Sequence, residues 1–131
     1  MTSKKEKYTW QKFDLDCKKI AAWAQGRHIK NIYGIPRGGL VIAVKLSHLL
    51  DIPLVLNRDD ISGSTLIVDD IIDEGNTIER LLAVIGEHHH IASIFYNKSA
   101  KRAPHFFARE KKNWVVFPWE TNATSKYDQT I

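Results

Sequence analysis

Cysteine, long apolar runs and a secretory leader are what this sequence lacks. The single cysteine, Cys17, excludes a disulfide bond within the chain and is typical of a protein from a reducing compartment. No apolar run approaches the about 20 residues that a membrane-spanning helix needs. The first residues, MTSKKEKYTW, do not contain the apolar segment of a signal peptide. We therefore expect a cytoplasmic protein that has no membrane partner.

The composition is that of an ordinary globular domain. Hydrophobic residues make up 44% and charged residues 26% of the 131 residues, which is enough apolar material for one core. We expect a single domain over 1–131, with polar tails at about 1–7 and 121–131. The net charge of +4 comes from scattered lysines rather than a basic stripe. It suits polyanionic small substrates, and we expect no nucleic-acid partner.

The most informative pattern in the chain is LIVDDIIDEGNTIERLL at 66–82. An apolar run leads to Asp69 and Asp70, two further apolar residues lead to Asp73, and the polar turn EGNT at 74–77 opens onto a helical pattern. These features predict a buried strand with an acidic edge, followed by a turn and a helix.

The turn has the properties of a phosphate site. Backbone amides at a helix start have no partner inside the helix, and the helix dipole places about half a positive charge there. Gly75 permits a close approach or a positive φ, and Thr77 offers a hydroxyl donor or a helix cap. Asp69 and Asp70 would repel a phosphate, so they are better placed to bind sugar hydroxyls or Mg2+. An acidic pair alone favours an ordinary strand end and turn over a ligand site, but the whole pattern favours a phosphorylated-sugar site.

A second glycine turn, PRGG at 36–39, lies between a strand candidate at 31–35 and an apolar helix candidate at 40–50. The glycine amides at the helix start and the guanidinium of Arg37 form an anion-binding arrangement. Taken alone, this turn is equally compatible with an ordinary glycine-rich helix start.

Strand and helix patterns alternate along the chain. A helix is predicted from Trp10 to Gln25 with Thr9 as its cap, and 97–112 is expected to be basic and irregular. The strand candidates lie at 31–35, 52–56, 66–68, 91–96 and 113–117. This alternation predicts an α/β fold with a mostly parallel five-stranded sheet, helices on both faces and ligands at the carboxyl ends of the strands.

The segment around 66–77 resembles the 5-phosphoribosyl 1-pyrophosphate (PRPP) motif of type I phosphoribosyltransferases, and departs from it only at Glu74, where that family has a hydroxyl. The resemblance implies that 36–39 is a pyrophosphate loop with a cis peptide bond between Pro36 and Arg37. The short connection at 57–64 implies a reduced hood. The PRPP-binding residues implied are Arg37, Gly38, Gly39, Asp69, Asp70, Asp73, Glu74, Gly75, Asn76 and Thr77.

The segments YNKSAKRAP and WVVFPWE are similar to the purine-recognition end of xanthine-guanine phosphoribosyltransferases. This similarity implies that Lys98 donates to the oxygen at C6 of a purine, that Trp114 stacks on the base, and that the backbone of Val115 reads its edge. Asp73 would accept the N7 proton, which favours a 6-oxopurine over adenine and leaves guanine, xanthine and hypoxanthine open. The resemblance also implies a Mg2+ cofactor near Asp69, Asp70 and Glu120.

The family further implies displacement of pyrophosphate from C1 of PRPP by a purine nitrogen. Asp73 would act as the base, Arg37 would offset charge on the leaving pyrophosphate, and the protein would be a homo-oligomer, either a dimer or a tetramer. The reduced hood and Glu74 keep open a non-catalytic PRPP- or nucleotide-binding regulatory module. Another phosphoryl-sugar enzyme or a receiver-like domain fits less well, because neither needs Lys98 and Trp114.

Overall fold

The computed structural model describes residues 5–121 and 123–124. The strands are β1 (Lys5–Lys7), β2 (Asn31–Gly34), β3 (Leu54–Val55), β4 (Thr65–Ile72), β5 (His90–Tyr96), β6 (Phe106–Glu110) and β7 (Trp114–Val116). The helices are α1 (Trp10–Ala24), α2 (Gly38–Leu50) and α3 (Asn76–Ile85), and a short 3-10 helix, Arg58–Asp60, follows β3. The first four residues of the predicted N-terminal tail, and most of the predicted tail at 121–131, lie outside the described residues.

Five strands form the main sheet, in the order β3-β2-β4-β5-β6. All four pairings in it are parallel. The predicted α/β fold, with a parallel five-stranded sheet and helices on both faces, is confirmed. Because all five strands run in the same direction, the loops after β2, β4, β5 and β6 lie together at the carboxyl ends of the strands.

The fifth strand of this sheet is not the predicted one. The strand expected at 113–117 is β7, which pairs with β1 in a separate two-stranded sheet. β1 itself lies in the expected polar tail, and β6 lies in the stretch expected to be irregular. The prediction of an irregular stretch is wrong there, because β6 (FFARE) is a half-exposed edge strand and lacks the apolar alternation that marks a half-buried strand in the sequence.

Two apolar layers cover the sheet. On one face, α1 and α2 pack their buried side chains, including Cys17, Ile20 and Ile42, against Leu66 and Val68 of β4. On the other face, the buried residues of α3 pack against residues that include Ile67 of β4; they are Ile78, Leu81 and Leu82. Burying one such aliphatic side chain contributes about 1.5–3 kcal/mol to the stability of the fold. The two layers therefore hold the helices firmly on the sheet, and with them the loops at the carboxyl ends of the strands.

The predicted start of α1 is confirmed, because the backbone amide of Lys12 donates to Oγ1 of Thr9 at 3.2 Å. A partly buried ion pair then ties this helix to β6, the edge strand of the sheet. Nε of Arg109 on β6 donates to Oδ2 of Asp16 at 2.6 Å, and the hydroxyl of Tyr8 donates to the same oxygen. The pair fixes β6, and with it the loop that begins at 111.

None of the helices in the described part of the chain combines the length and the apolar character needed to cross a bilayer.

Candidate functional site

The first glycine turn lies against the acidic strand, because α2 starts against β4. The amide of Ile35 donates to the carbonyl oxygen of Val68 at 2.9 Å, and the amide of Gly39 donates back to the carbonyl oxygen of Ile35 at 2.8 Å. A Cβ atom at Gly39 would lie 2.5 Å from the Val68 oxygen and 3.3 Å from Cα of Asp69. The start of α2 therefore touches the strand at its acidic pair.

The loop that joins β2 to α2 carries the backbone feature that the family resemblance implies. The peptide bond between Pro36 and Arg37 is cis, as expected. Arg37 is exposed, and its Nη2 atom donates to the carbonyl oxygen of Thr124 at 3.5 Å. Its guanidinium thus lies at the surface, against the backbone at Thr124.

The turn at 74–77 is built on Gly75, which has φ of 87° and directly precedes α3. Thr77 was a candidate cap; instead it is buried within the first turn, because the helix begins at Asn76. The amide of Lys101 donates to the carbonyl oxygen of Glu74 at 2.9 Å. The turn is thus held against the loop that follows β5, with its amides at the start of α3.

The side chain of Glu74 is exposed rather than folded into the turn. Its Oε2 atom accepts from Nδ2 of Asn76 at 3.4 Å, and Oδ1 of Asn76 accepts from Nζ of Lys101 at 2.7 Å. The side chain of Asn76 therefore links Glu74 to Lys101.

The acidic pair lies inside β4 rather than after it, and both side chains are buried. Oδ1 of Asp69 accepts from the amide of Asp70 at 2.9 Å, and Oδ1 of Asp70 accepts from the amide of Ile71 at 2.8 Å. Backbone amides thus orient both carboxylates. Their oxygen atoms are the kind of ligand that Mg2+ prefers, with further oxygens supplied by a substrate phosphate.

Glu120 does not join this pair in a metal-binding group. Its Oε1 atom accepts from the amide of Phe117 at 3.0 Å, and its own amide donates to the Phe117 carbonyl oxygen at 3.0 Å. Within residues 5–121 and 123–124, no group of three His, Cys, Asp or Glu side chains could hold a metal ion. Glu120 instead closes the turn after β7, and the metal site expected of Asp69, Asp70 and Glu120 stays a prediction.

Asp73 is the most constrained carboxylate of the site. Its Oδ1 atom accepts from Nδ2 of Asn97 at 2.9 Å, and its Oδ2 atom accepts from Nζ of Lys111 at 2.8 Å. Burial raises the pKa of Asp73, but the hydrogen bonds from Lys111 and Asn97 and the positive charge of Lys111 outweigh burial and hold the pKa below its usual value. Asp73 is therefore an ionised acceptor at neutral pH.

The expected purine-binding residues are only partly brought together. Trp114 is half-exposed, and Nζ of Lys111 lies over its ring, 5.8 Å from the centroid. Val115 is buried next to it in β7. Lys98 is 68% exposed, and its Nζ atom forms an ion pair with Oε1 of Glu110 at 3.5 Å.

Two residues at this site, Asn97 and Lys111, were not predicted as site residues. Asn97 follows β5 directly, so its position was available from the sequence. Lys111 follows β6, and only recognition of that strand would have placed it at the sheet edge.

This chain is similar to known phosphoribosyltransferases, although no family model matches it. A xanthine-guanine phosphoribosyltransferase of Desulfotalea psychrophila is 27% identical over 139 residues, covering 88% of this chain and 86% of the relative. The enzyme of the same name from Cereibacter sphaeroides is 27% identical over 142 residues, covering 86% of this chain and 84% of the relative.

The chain is also similar to solved structures of purine phosphoribosyltransferases. A purine phosphoribosyltransferase from Pyrococcus horikoshii aligns with a TM-score of 0.78 and 28% identity, covering 89% of this chain and 94% of that one. A Helicobacter pylori xanthine-guanine-hypoxanthine phosphoribosyltransferase aligns with a TM-score of 0.79 over 96% of this chain and 99% of that one. Its identity is 21%, so this second likeness concerns the fold alone.

Proposed function

We propose that this chain, a type I phosphoribosyltransferase similar to the xanthine-guanine enzymes, transfers the 5-phosphoribosyl group of PRPP to a 6-oxopurine base and releases pyrophosphate. The observation that carries the proposal is the approach of Gly39 to Val68 and Asp69. This contact sets an anion-binding helix start beside the acidic strand that leads to the phosphate turn. One doubly phosphorylated pentose can then contact both turns at once.

The 5-phosphate is proposed to bind at 74–77. The amides at the start of α3 and the hydroxyl of Thr77 supply donors, and the positive end of the helix dipole favours the anion. Asp69 and Asp70, held by backbone amides, are proposed to accept hydrogen bonds from the ribose hydroxyls. These contacts fix C1 relative to the base and so lower the entropic part of the barrier.

The pyrophosphate is proposed to lie against the loop at 36–39. The amide of Gly38 and the guanidinium of Arg37 would stabilise the charge that grows as the C1–O bond breaks, while the amide of Gly39 holds the loop by donating to the carbonyl oxygen of Ile35. A Mg2+ ion held by the acidic pair and by PRPP oxygens would neutralise part of the same charge.

The base is proposed to stack on Trp114 beside the backbone of Val115, with Asp73 accepting the N7 proton. A nitrogen of the base then forms the new bond to C1 as pyrophosphate departs. A lysine ammonium group that faces C6 of the base would donate to a keto oxygen there, and would therefore favour a 6-oxopurine over adenine, which carries an amino group. Lys98 is the candidate by resemblance, and the geometry around Lys111 offers another.

The test is a panel assay of free bases with PRPP and Mg2+. Guanine, xanthine or hypoxanthine should give the mononucleotide and pyrophosphate, and adenine should not. Asp73→Asn should lower kcat/KM by about 100-fold or more, since positioned acid–base groups contribute about 10²–10⁴-fold.

A regulatory module is the second candidate, because the connection after β3 holds only a short 3-10 helix with exposed residues and offers no long lid. Calorimetry separates the two functions. Binding of PRPP or GMP without turnover of any of the four bases would establish the module and overturn the enzyme.

For the assembly we propose a homo-oligomer. Trp10 and Leu15 on α1 and Val44 on α2 expose apolar side chains on the two helices that pack together. Sedimentation should give a mass above that of one 15.0 kDa chain.

A further inference from the structure

We propose that a cavity between α3 and the connection after β3 binds a small phosphomonoester that carries an apolar body. This second site is separate from the one assigned to the transfer reaction, and it does not depend on the proposed function. It combines an apolar floor with two arginines, Arg58 and Arg80, to which the described part of the chain gives no acidic partner.

The cavity lies on the α3 face of the sheet and has a volume of about 460 Å3. Sites for small molecules usually have volumes of about 300–1,000 Å3. The lining follows α3 from Thr77 to Val84, which is about 10 Å of helix at a rise of about 1.5 Å per residue. The far end of the cavity is therefore well removed from the amides at the start of α3.

The cavity is distinct from the acidic edge of the sheet. A smaller depression at the carboxyl end of β4 is lined by residues that include Asp69, Asp73 and Gly75, and the two share only Thr77. The loop at 36–39 does not line the cavity either. A ligand in the cavity would therefore lie beside the phosphate turn rather than in it.

The floor of the cavity is apolar. It consists of Tyr33 and Ile35, at the end of β2, and Leu81 of α3, all three of which are buried. Val84 of α3 adds a wall whose side chain is 62% exposed. An apolar body placed against this wall would remove Val84 from water, which favours binding.

The two arginines come from separate elements and line the same cavity. Arg58 belongs to the 3-10 helix after β3 and Arg80 to α3, and both are exposed. Within residues 5–121 and 123–124, neither forms a salt bridge with a carboxylate, and Nη2 of Arg80 donates to Oγ1 of Thr77 at 3.5 Å. Because a hydrogen bond of that length is weak, both guanidinium groups can bind an anion.

Nearby acidic residues do not neutralise this pair. Glu79 of α3 is engaged by Arg102, whose Nε atom donates to its Oε1 atom at 3.0 Å. Asp59 and Asp60 belong to the 3-10 helix but do not line the cavity. The described lining thus carries two positive side chains and no carboxylate, which favours an anionic ligand.

A phosphomonoester matches both features of the cavity. Its three terminal oxygens can accept hydrogen bonds from guanidinium groups on two sides, whereas a carboxylate offers only two oxygens. The organic group of the ester can then lie against the apolar floor. Inorganic phosphate and a neutral ring would each use only half of the site, so both should bind more weakly.

The experiment titrates the 15N-labelled protein with phenyl phosphate and follows the amide signals of Leu81 and Val84 by NMR. The signal of Gly75 is followed separately, because the turn at 74–77 also attracts a phosphate. Phenyl phosphate should shift the two cavity signals with a Kd at least about five-fold lower than the Kd of inorganic phosphate or of phenol. Shifts confined to Gly75, or equal Kd values for phenyl phosphate and inorganic phosphate, overturn the proposal.

Variants of the exposed arginines test the anion contact. Arg58→Met and Arg80→Met should each raise the Kd of phenyl phosphate by about 10-fold, the lower end of the range for a hydrogen bond to a charged group. Arg27→Met is the matched control, because Arg27 is an exposed arginine outside the cavity, and it should keep the wild-type Kd. The same Kd in all three variants contradicts the assignment.

A second copy of the chain is the competing occupant, since the exposed Val84 could instead be covered by another subunit. Val84→Glu places a carboxylate in the wall and should abolish the cavity shifts with phenyl phosphate. It should leave the mass measured by sedimentation equal to that of the wild type. A lower mass in Val84→Glu would assign this face to a contact between copies and overturn the ligand site.

Discussion

The carbonyl oxygen of Val68 lies where a side chain at Gly39 would have to begin, since a Cβ atom there would stand 2.5 Å from it. The same helix start is close to Gly34, whose own Cβ would lie 2.3 Å from the Gly39 carbonyl oxygen. Only residues without side chains allow α2 to begin this close to β4. The distance between the start of α2 and β4 is thus set by glycine.

Gly39→Ala should therefore move the start of α2 away from β4. Because the obstacle is backbone, relief requires a shift of α2, and overpacking of this kind costs about 1–3 kcal/mol. We expect a lower urea midpoint together with a higher KM for PRPP. Gly63→Ala is the control, since its Cβ would meet nothing within 4 Å. A Gly39→Ala protein with the midpoint and KM of Gly63→Ala would show that α2 and β4 tolerate a wider spacing.

Both turns could be predicted from the sequence because each is a local pattern. An apolar strand, a glycine turn and a helix start occupy consecutive residues at 31–50 and again at 66–82, and the amides that bind an anion belong to the turn itself. The structure confirms these elements as β2 with α2 and as β4 with α3.

Long-range contacts could not be predicted in the same way. β6 is stabilised by the ion pair of Arg109 with Asp16, which are far apart in sequence, and its own residues have no apolar alternation. Because β6 was not predicted, nothing in the sequence placed Lys111 at the site, since its position depends on the strand before it. Glu120 was assigned by resemblance to a metal site, but a local turn with Phe117 engages its carboxylate.

The buried ion pair of Asp16 gives a second prediction. Asp16→Asn keeps the size of the side chain but leaves the guanidinium of Arg109 without its counter-charge. Removing one partner of a buried pair costs about 3–5 kcal/mol, and we expect the lower end because Arg109 is 32% exposed.

Urea unfolding at pH 7 measures this loss, with Asp14→Asn as the control. Asp14 is bonded to Lys18 and Lys45 on the surface of α1 and α2, where ion pairs contribute little. Equal midpoints for the two variants would show that Asp16 does not stabilise β6.

Glu74 provides a third prediction, on PRPP affinity. Its exposed carboxylate lies at the phosphate turn, where it would repel the 5-phosphate through solvent. Glu74→Gln should lower KM for PRPP by about two- to five-fold, the range that corresponds to an exposed charge interaction. Glu74→Thr should lower it further if a hydroxyl at this position donates to the phosphate.

Salt distinguishes the two effects of Glu74. The gain in Glu74→Gln should shrink in 0.5 M NaCl, since salt screens exposed charges, whereas the additional gain in Glu74→Thr should persist. A KM that is the same in all three proteins would show that this side chain points away from the bound substrate.

The last prediction concerns stability at mildly acidic pH and rests on His105. Nδ1 of His105 accepts a hydrogen bond from the amide of Ile91 at 3.1 Å, so this atom carries no proton in the folded protein. Burial, followed by the charges of His90 and Arg102, lowers the pKa of His105 below its model-peptide value of 6.5. The unfolded chain therefore takes up a proton at a higher pH than the folded one. The contribution of His105 to the free energy of unfolding should fall as pH decreases through 6.5, and level off below the lowered pKa.

His105→Gln removes this titration, so its urea midpoint should fall less between pH 7.5 and pH 5 than that of the wild type. His88→Gln, in the exposed loop before β5, is the control and should keep the wild-type slope. If His105→Gln and His88→Gln lose stability in parallel over this range, the acid sensitivity comes from other groups.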